Sequence, residues 1–559
     1  MKRIMATIVL LGVVLSLSVI GKQALQAAPQ GKATTRPIPV ATPTPSPVAI
    51  PPAPHRGGEI RIADFLYERT LVVPGQKVPL VATLRNVAAE GGEFTLHFVL
   101  PPGATLINGP QEVHGVLAAG ETRRFRWEVV FDTPKDYRIG LQVSPSTRGT
   151  ANSTLTVPVQ PTAWRQTHFL LSAYNPPYAY REPPYDDAIL THYQEAHFDH
   201  LLWVRDEEAL IQKAHDFGFA YYLDIADFIG EEKLRGEDGP PPPITEEELR
   251  ALDSLVEKYK DDPLMTGYYI CDEPSQDAFP NVARVVARIR THDLTRPVFV
   301  NLYPYFSDDE GSPTYLEAFL QTVRPDWLPF DRYIFFNGWD ETEQYLAQLR
   351  LIRKYALKYD IPFVSFIQGV GTNGTPAEDL DWRTPTEAEQ RWMIDTALTY
   401  GAHGIVWFHW DHPWGVTGNP DGDEVYPAIQ HLNQELQVLG PQLVSLTSTD
   451  AYSTGTGLVV FPGEPRPKLL ASESELVVGV FRSADGREDH FMLTNRSYEE
   501  PVEGTVSVRM PLRTLEAFNV TTGEWEKVSF ENDAGRAHFD IFLEPGEGVL
   551  FRFTPAAQP

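Results

Sequence analysis

The sequence is very short of cysteine. Cys271 is the only one among 559 residues, so no intramolecular disulfide can form and no disulfide-linked partner is expected. Basic residues are also scarce, with 47 Lys and Arg against 75 Asp and Glu and a formal net charge of -28. A surface of that sign repels nucleic-acid phosphates and anionic membranes, whereas a neutral glycan is indifferent to it. The composition therefore argues against a nucleic-acid partner and leaves a carbohydrate open.

Long apolar runs are absent beyond the N-terminus. Residues 1–3 (Met-Lys-Arg) are a basic start, and residues 4–20 form an uncharged apolar run. This pattern predicts a signal peptide over residues 1–28, and hence a secreted, periplasmic or cell-surface protein. An uncleaved anchor, tethering the protein to the cell surface through its N-terminus, is the alternative. Residues 29–57 are rich in proline and predict a semi-rigid linker.

Two kinds of local pattern divide the remaining chain. Short alternating segments separated by Gly and Pro occupy residues 58–160 and 441–559. They predict two antiparallel β-sandwiches, the first of immunoglobulin-like type. Between them, residues 163–440 alternate apolar runs with amphipathic helices, two of which begin at predicted N-caps, Thr245 and Thr384, the latter with Pro385 at the first helical position.

The central region contains eight predicted strands. They cover residues 169–174, 200–204, 220–225, 267–272, 297–302, 327–336, 363–368 and 404–410. Eight strand-then-helix units favour a (β/α)₈ TIM barrel over an open doubly wound sheet. A dinucleotide-binding sheet would also need a glycine-rich turn after its first strand, where this chain has Asn175-Pro176-Pro177-Tyr178, so no nucleotide cofactor is expected.

The strand ends of such a barrel supply its catalytic and binding groups. Besides Asp272 and Glu273, the predicted substrate-binding residues at these ends are Tyr174, Arg205, Asp224, Asn301, Tyr303, Asp331, Gln368, His409 and Trp410. Carboxylates and amides bind sugar hydroxyls, and aromatic rings, here Trp410, stack on pyranose faces. This combination predicts an oligosaccharide or polysaccharide substrate. No metal is expected, since His403, His409 and His412 fit no ligand spacing.

The segment Asp272-Glu273-Pro274 is the strongest candidate for catalysis. Adjacent carboxylates repel each other, and here they follow an apolar strand, so a purely structural role is hard to motivate. Cleavage of a glycosidic bond needs a protonated carboxyl beside the leaving oxygen. We therefore predict Glu273 as general acid/base with Asp272 as its partner, and core packing for the neighbouring Cys271.

The order of a fourth strand, Glu273 at its end and Pro274 next resembles the large barrel clan A of glycoside hydrolases. In that clan Asn-Glu-Pro holds the acid/base. Asp272 departs from the clan's asparagine, and Gln368 stands at the end of strand seven, where the clan has its nucleophilic glutamate. Because glutamine cannot form the glycosyl-enzyme ester, the usual pair is incomplete.

Residues 269–275 (Tyr-Ile-Cys-Asp-Glu-Pro-Ser) are similar to a segment of glycoside hydrolase family 123 and to the Asp-Glu pair of hexosaminidases. This resemblance implies substrate-assisted cleavage of a β-linked N-acetylhexosaminide, with Asp272 orienting the acetamido group. Three alternatives remain open. Asp331 or Asp224 is an inverting base, Asp331 is a nucleophile, or the protein is a non-catalytic glycan-binding or cell-surface protein derived from a barrel enzyme.

Overall fold

A computed structural model describes residues 60–145, 150–178, 185–236, 239–304, 314–412, 415–455 and 469–557. The predicted signal peptide, 1–28, and the predicted linker, 29–57, lie outside the described residues. The chain divides into two compact units between Ala163 and Trp164. Within the described ranges, no helix combines the length and the apolar character needed to cross a membrane.

The first unit contains two antiparallel sheets. Its strands are β1 (Ile60–Tyr67), β2 (Val78–Asn86), β3 (Gly92–Val99), β4 (Ala104–Asn108), β5 (Glu112–Leu117), β6 (Thr122–Phe131), β7 (Asp136–Pro145) and β8 (Ala151–Pro158). The sheet orders are β1-β2-β6-β4 and β5-β3-β7-β8. Buried and exposed side chains alternate along β3 and β6, so each sheet turns one apolar face inward. Residues of both sheets, including Leu96 and Trp127, form a single hydrophobic cluster.

The second unit begins with alternating strands and helices. Its first strands are β9 (Leu170–Ala173), β10 (His200–Val204), β11 (Ala220–Asp224), β12 (Met265–Asp272), β13 (Val298–Asn301), β14 (Leu328–Phe330), β15 (Phe335–Phe336), β16 (Trp339–Asp340), β17 (Phe363–Gln368) and β18 (Gly404–Phe408). The helices are α1 (Asp187–Glu195), α2 (Glu208–Phe217), α3 (Ile225–Ile229), α4 (Glu231–Arg235), α5 (Glu246–Tyr259), α6 (Phe279–Arg290), α7 (Tyr315–Thr322), α8 (Thr342–Tyr359), α9 (Glu387–Tyr400) and α10 (Gly422–Val444).

Eight of these strands are parallel and follow one another in a closed order. They form the sheets β10-β11-β12-β13 and β14-β17-β18-β9. A parallel bridge between Leu302 and Phe330 links the two sheets on one side. On the other side, the N–H of Asp199 donates to the carbonyl of Leu171 at 3.4 Å. Because the strands are parallel, their carboxyl ends, including Asp272, lie at one edge.

Two local predictions need correction. The expected strand 327–336 ends at Phe330, and its last residues pair instead with Trp339 and Asp340 in a two-stranded hairpin. The N-cap of α9 is Thr386, not Thr384. The Thr386 hydroxyl accepts a hydrogen bond from the N–H of Glu389, and the Glu389 carboxylate accepts one from the N–H of Thr386. This reciprocal pair starts the helix after Pro385, so the proline precedes the cap.

Among residues 447–455 and 469–557, ten antiparallel strands form two sheets. The strands are β19 (Thr447–Ser453), β20 (Leu470–Ser472), β21 (Leu476–Arg482), β22 (Glu488–Asn495), β23 (Val502–Val508), β24 (Leu512–Asn519), β25 (Glu524–Lys527), β26 (Glu531–Asp533), β27 (Arg536–Leu543) and β28 (Gly548–Pro555). Their orders are β19-β21-β22-β28-β24-β25 and β20-β23-β27-β26. Helix α9 lies against the larger sheet, where the hydroxyls of Thr399 and Thr494 are 2.6 Å apart. The hydrophobic core therefore continues from the parallel strands into this sheet.

Candidate active site

The end of β12 presents two neighbouring carboxylates. The strand is buried up to Cys271, and the side chains of Asp272 and Glu273 are then 16% and 11% exposed. Burial raises the pKa of the Cys271 thiol well above its usual range, so this residue packs in the core as expected. Glu273 has a φ of 43°, and its N–H donates to the Asn301 carbonyl at 2.9 Å. A non-glycine residue in this left-handed region is uncommon, and such strain is concentrated at functional sites.

Arg235 at the end of α4 faces both carboxylates. Its guanidinium nitrogens lie 3.9 Å from Asp272 Oδ2 and 4.0 Å from Glu273 Oε2. The same group donates to Glu231 at 3.1 Å. A positive charge at this distance offsets the repulsion that two neighbouring carboxylates would otherwise have. Sequence reasoning missed Arg235, because a basic residue in a short helix before β12 carries no local sign of this contact.

The next strand ends hold Asp272 from the other side. The amide of Asn301 donates to Asp272 Oδ1 at 2.9 Å. Asp331 is buried, and burial together with the charge of Asp272 raises the pKa of its carboxyl. The hydroxyl of Tyr333 donates to Asp331 Oδ2 at 3.3 Å. Burial and the neighbouring like charge therefore disfavour ionisation of Asp331.

Two tyrosines border Glu273. Burial and the charges of Glu273 and Asp331 raise the pKa of Tyr303 to about 12, so its half-buried hydroxyl remains a hydrogen-bond donor. Tyr315 on α7 donates to the carbonyl of Pro274 at 2.8 Å. Tyr303 thus lies within electrostatic reach of both carboxyls, and its predicted contact with substrate stays a prediction. Tyr315 fixes the backbone after Glu273.

Half-buried aromatic rings lie at the carboxyl ends of β9 and β10. The ring of Tyr174 stacks against Trp203 at 4.8 Å and against Phe408 at 5.7 Å. Trp203 also meets Tyr269, on β12, edge to face at 5.2 Å. These rings therefore lie beside the strand that carries Asp272 and Glu273. A pyranose face can stack on such a surface.

Trp410 does not occupy the position expected of a sugar platform. Its side chain has no exposed surface and packs edge to face against Tyr193 and Phe198 at 5.2 and 5.3 Å. The chain turns after β18, so the ring enters the core beside α1. Trp203, which is partly exposed, has the accessibility that the prediction assigned to Trp410.

His409 is buried next to the first strand end. One ring nitrogen lies 2.6 Å from the side-chain amide of Asn175. Burial, and then the nearby His412, lowers its pKa well below the usual range, so the ring is neutral. Among the described residues no group of three or more His, Cys, Asp or Glu has an arrangement suited to a metal ion.

The predicted contacts at the second and third strand ends are tied to local partners. Arg205 is half-buried and lies 3.4 Å from both the Tyr185 hydroxyl and Glu207. Asp224 caps α3 by accepting from the N–H of Asp227 at 3.1 Å. Burial raises the pKa of Asp224 to about 7. Asp224 therefore serves the start of a helix, while Arg205 remains partly open at the rim.

Gln368 at the end of β17 is a structural residue, in place of the substrate contact predicted for it. Its side chain is fully buried. The side-chain oxygen accepts from the N–H groups of Ile334 and Phe335, both at 3.0 Å. The side-chain nitrogen donates to the carbonyls of Phe335 and Arg383, also at 3.0 Å. All four hydrogen-bonding positions of the amide are thus occupied by main chain.

Comparisons with known proteins find no matching family model and no curated protein that matches in sequence. The resemblance to family 123 therefore remains a hypothesis. Similar solved structures include a family 39 glycoside hydrolase from Bacteroides cellulosilyticus WH2, with 12% identity over 89% of this chain and 100% of that chain and a TM-score of 0.38. A cycloisomaltooligosaccharide glucanotransferase from Paenibacillus sp. has 8% identity over 88% of this chain and 99% of that chain, with a TM-score of 0.41. A β-glucuronidase from Bacteroides uniformis has 12% identity over 87% and 60%, with a TM-score of 0.30. At these scores the functional argument depends on the site itself.

Proposed function

We propose that the protein is a glycoside hydrolase that cleaves a β-linked glycoside with Glu273 as general acid/base. One observation carries the proposal. Asp272 and Glu273 lie side by side at the edge where eight parallel strands end, both partly exposed, with Arg235 facing both. The closed strand order supports a (β/α)₈ barrel, and the antiparallel sheets before and after it support flanking β-sandwiches.

We further propose that the substrate supplies the nucleophile. In the usual double displacement the enzyme nucleophile is an ionised carboxylate, and three strand-end candidates are poorly suited to that role. Gln368 is an amide bound to main chain, and burial raises the pKa of Asp331, which disfavours its ionised form. Asp224 caps a helix, and burial raises its pKa as well. The 2-acetamido oxygen of an N-acetylhexosaminide needs no such residue.

The reaction then has two steps. Glu273 donates its proton to the leaving oxygen as the acetamido oxygen attacks the anomeric carbon, and the glycosidic C–O bond breaks. The product is a cyclic oxazolinium ion, whose N–H donates to the Asp272 carboxylate and whose positive charge that carboxylate stabilises. Glu273, now ionised, removes a proton from water, which attacks the same carbon and reopens the ring. Two inversions give overall retention.

Neighbouring groups hold Asp272 in the position that this mechanism needs. The Asn301 amide donates to one carboxylate oxygen at 2.9 Å, and the Arg235 guanidinium lies 3.9 Å from the other. Asp272 is therefore positioned before a sugar binds, which is the preorganisation that electrostatic stabilisation requires.

We also propose that the protein acts outside the cytoplasm. The basic and apolar start of residues 1–28 supports export, and the proline-rich residues 29–57 support a spacer that holds the described units away from a surface. An anchored N-terminus would tether the enzyme to the cell. Comparing the N-terminal sequence of the exported protein with the encoded one tests cleavage directly.

A pair of substrates tests the mechanism. We expect turnover of 4-nitrophenyl N-acetyl-β-glucosaminide or N-acetyl-β-galactosaminide, and none of the matching sugars with a 2-hydroxyl, because only the acetamido group can attack. A thiazoline analogue of the oxazolinium ion should inhibit competitively. Turnover of the 2-hydroxyl sugars with covalent labelling of Asp331 by a 2-fluoro glycoside would contradict substrate assistance. Binding of glycans without turnover of any glycoside would instead favour the non-catalytic alternative.

A further inference from the structure

An exposed tryptophan projects from the hairpin that follows β14. Trp339 is 47% exposed, and its ring lies parallel to Phe336, with centroids 4.0 Å apart and an interplanar angle of 4°. The two rings face each other across a two-residue turn, Asn337-Gly338, in which Gly338 takes a left-handed φ of 84°. One face of the indole is thus covered by Phe336, while the residue as a whole keeps nearly half of its surface exposed.

Polar side chains occupy the turn of this hairpin and the loop bonded to it. Asn337 and Asn373 exchange amide hydrogen bonds of 2.8 and 3.1 Å, and the Asn337 amide also donates to Asp381 at 2.9 Å. All three side chains are exposed. Together with Trp339 they form what we call the Trp339 platform, an aromatic face with an amide and carboxylate rim.

The platform is held by contacts within and outside the hairpin. The N–H of Glu341 donates to the carbonyl of Ile334 at 3.0 Å and closes the base of the hairpin, and the N–H of Asn337 donates to the carbonyl of Asp381 at 3.0 Å. The hydroxyl of Tyr498, from the C-terminal strands, donates to Asp340 at 2.8 Å. A ring fixed in this way loses little conformational entropy when a ligand stacks on it.

The platform lies on the same edge as the acidic pair. Its hairpin follows β14, and Asn373 and Asp381 follow β17, so both loops begin at carboxyl ends of the parallel strands. A row of aromatic residues leads from it toward Glu273. Phe336 forms a β-bridge with Trp382, and the Trp382 ring meets Tyr333 at 4.9 Å. Burial, and then charges that include those of Asp331 and Glu273, raise the pKa of Tyr333.

We infer that the Trp339 platform binds a sugar unit remote from the cleaved bond, so that the enzyme acts on oligosaccharides or polysaccharides. This rests on the proposed glycosidase function. An exposed aromatic face offers a surface for pyranose C–H groups, and the amide and carboxylate rim offers acceptors and donors for hydroxyls. A protein partner would favour a contiguous apolar patch around the ring, whereas the exposed side chains of the adjoining turn and of the loop bonded to it are Asn337, Asn373 and Asp381. The ring is separated from Glu273 by Phe336, Trp382 and Tyr333, so it contacts a different sugar from the one cleaved.

Kinetics on short and long substrates test the inference. We expect Trp339→Ala to lower kcat/KM about 10-fold on β-linked N-acetylhexosamine oligosaccharides, mainly through KM. Turnover of the 4-nitrophenyl monosaccharide should stay unchanged, since it does not reach the platform, and Trp339→Phe should restore part of the loss. The matched control is Phe542→Ala, which removes another exposed aromatic ring, 59% exposed on β27, and should alter neither substrate. Equal losses on both substrates, or no loss on either, would overturn the inference.

A binding measurement separates this inference from the proposed function. Calorimetric titration of Glu273→Gln with the same oligosaccharides, with and without Trp339→Ala, reports affinity independently of turnover. If the wild type hydrolyses none of the substrates, the glycosidase proposal fails. If, in that case, adding Trp339→Ala to Glu273→Gln still lowers the affinity for oligosaccharides, the platform is supported. If oligosaccharides of increasing length bind both variants equally, the platform is wrong whatever the activity.

Discussion

The ends of strands β12 and β17 differ in their exposure, their backbone conformation and their side-chain partners. Glu273, just after β12, is partly exposed, has a left-handed backbone and lies 4.0 Å from Arg235. Gln368, the last residue of β17, is fully buried, and its side-chain amide makes four hydrogen bonds to the main chain of residues 334, 335 and 383.

This contrast bears on the position where the resemblance to clan A predicts a nucleophile. Gln368 joins the chain after β14 to the chain after β17, and four main-chain groups would each lose a hydrogen bond without it. Its role is therefore to connect these two loops. Of the two strand ends, that of β12 is the one with partly exposed carboxylates, Asp272 and Glu273.

The largest effect is expected at the β12 end. Glu273→Gln should lower kcat/KM about 1,000-fold on oligosaccharides, because the amide cannot protonate the leaving oxygen. The loss in the first step should be smaller with a 2,4-dinitrophenyl leaving group, which departs without protonation. Glu531→Gln, at an exposed position on β26, is the control and should leave activity unchanged. Equal losses with both leaving groups would show that Glu273 is not the acid.

Asp272→Asn tests the neighbouring carboxylate. We expect kcat on N-acetylhexosaminides to fall about 100-fold, since a neutral amide cannot stabilise the oxazolinium charge. The melting temperature should change little, because the amide oxygen can still accept from Asn301. An unchanged kcat would remove Asp272 from the mechanism and leave Asp331 as the candidate partner of Glu273.

Gln368→Glu places a carboxyl at the end of β17, as there is at the end of β12. A carboxylate cannot donate to the carbonyls of Phe335 and Arg383, so we expect destabilisation of about 3 kcal/mol in chemical denaturation. Turnover of glycosides with a 2-hydroxyl should not appear. A gain of such activity, with a covalent intermediate at position 368, would mean that this side chain faces the substrate and that the contrast is false.

Sequence reasoning located the strand ends better than it located side-chain directions. The hydrophobic runs predict all eight parallel strands, and Asp272 and Glu273 follow from one of them. Periodicity does not show which side of the strands a terminal residue faces, so Trp410 and Gln368 were assigned to a surface that they do not reach. Contacts between distant segments, such as Arg235 with Glu273, leave no local pattern. The Trp339 hairpin did leave one, since an Asn-Gly pair between aromatic residues is a turn signal.

Two buried carboxyls in different places give a further comparison. Asp331 follows β14, near the acidic pair, and Asp395 lies on α9. Burial and the charge of Asp272 raise the pKa of Asp331. Burial raises that of Asp395 on α9 to about 8, where the carboxyl accepts from the Gly548 N–H at 2.7 Å. A raised folded-state pKa means that the folded protein binds the proton more tightly than the unfolded chain. Each carboxyl therefore lowers stability as pH rises from the unfolded value toward the raised one.

Replacing either carboxyl by an amide removes that loss. We expect each substitution, Asp331→Asn or Asp395→Asn, to raise the free energy of unfolding at pH 8 relative to pH 5. The gain is about 1.4 kcal/mol for each pH unit below the folded pKa, or up to about 4 kcal/mol for a folded pKa of about 8. Only the Asp331 variant should change kcat/KM, because Asp331 alone interacts electrostatically with Asp272. Urea denaturation across this pH range measures the first effect. A wild-type stability that does not fall between pH 5 and 8 would show that both carboxyls are already ionised in the folded protein, and Asp331 would return as a possible nucleophile.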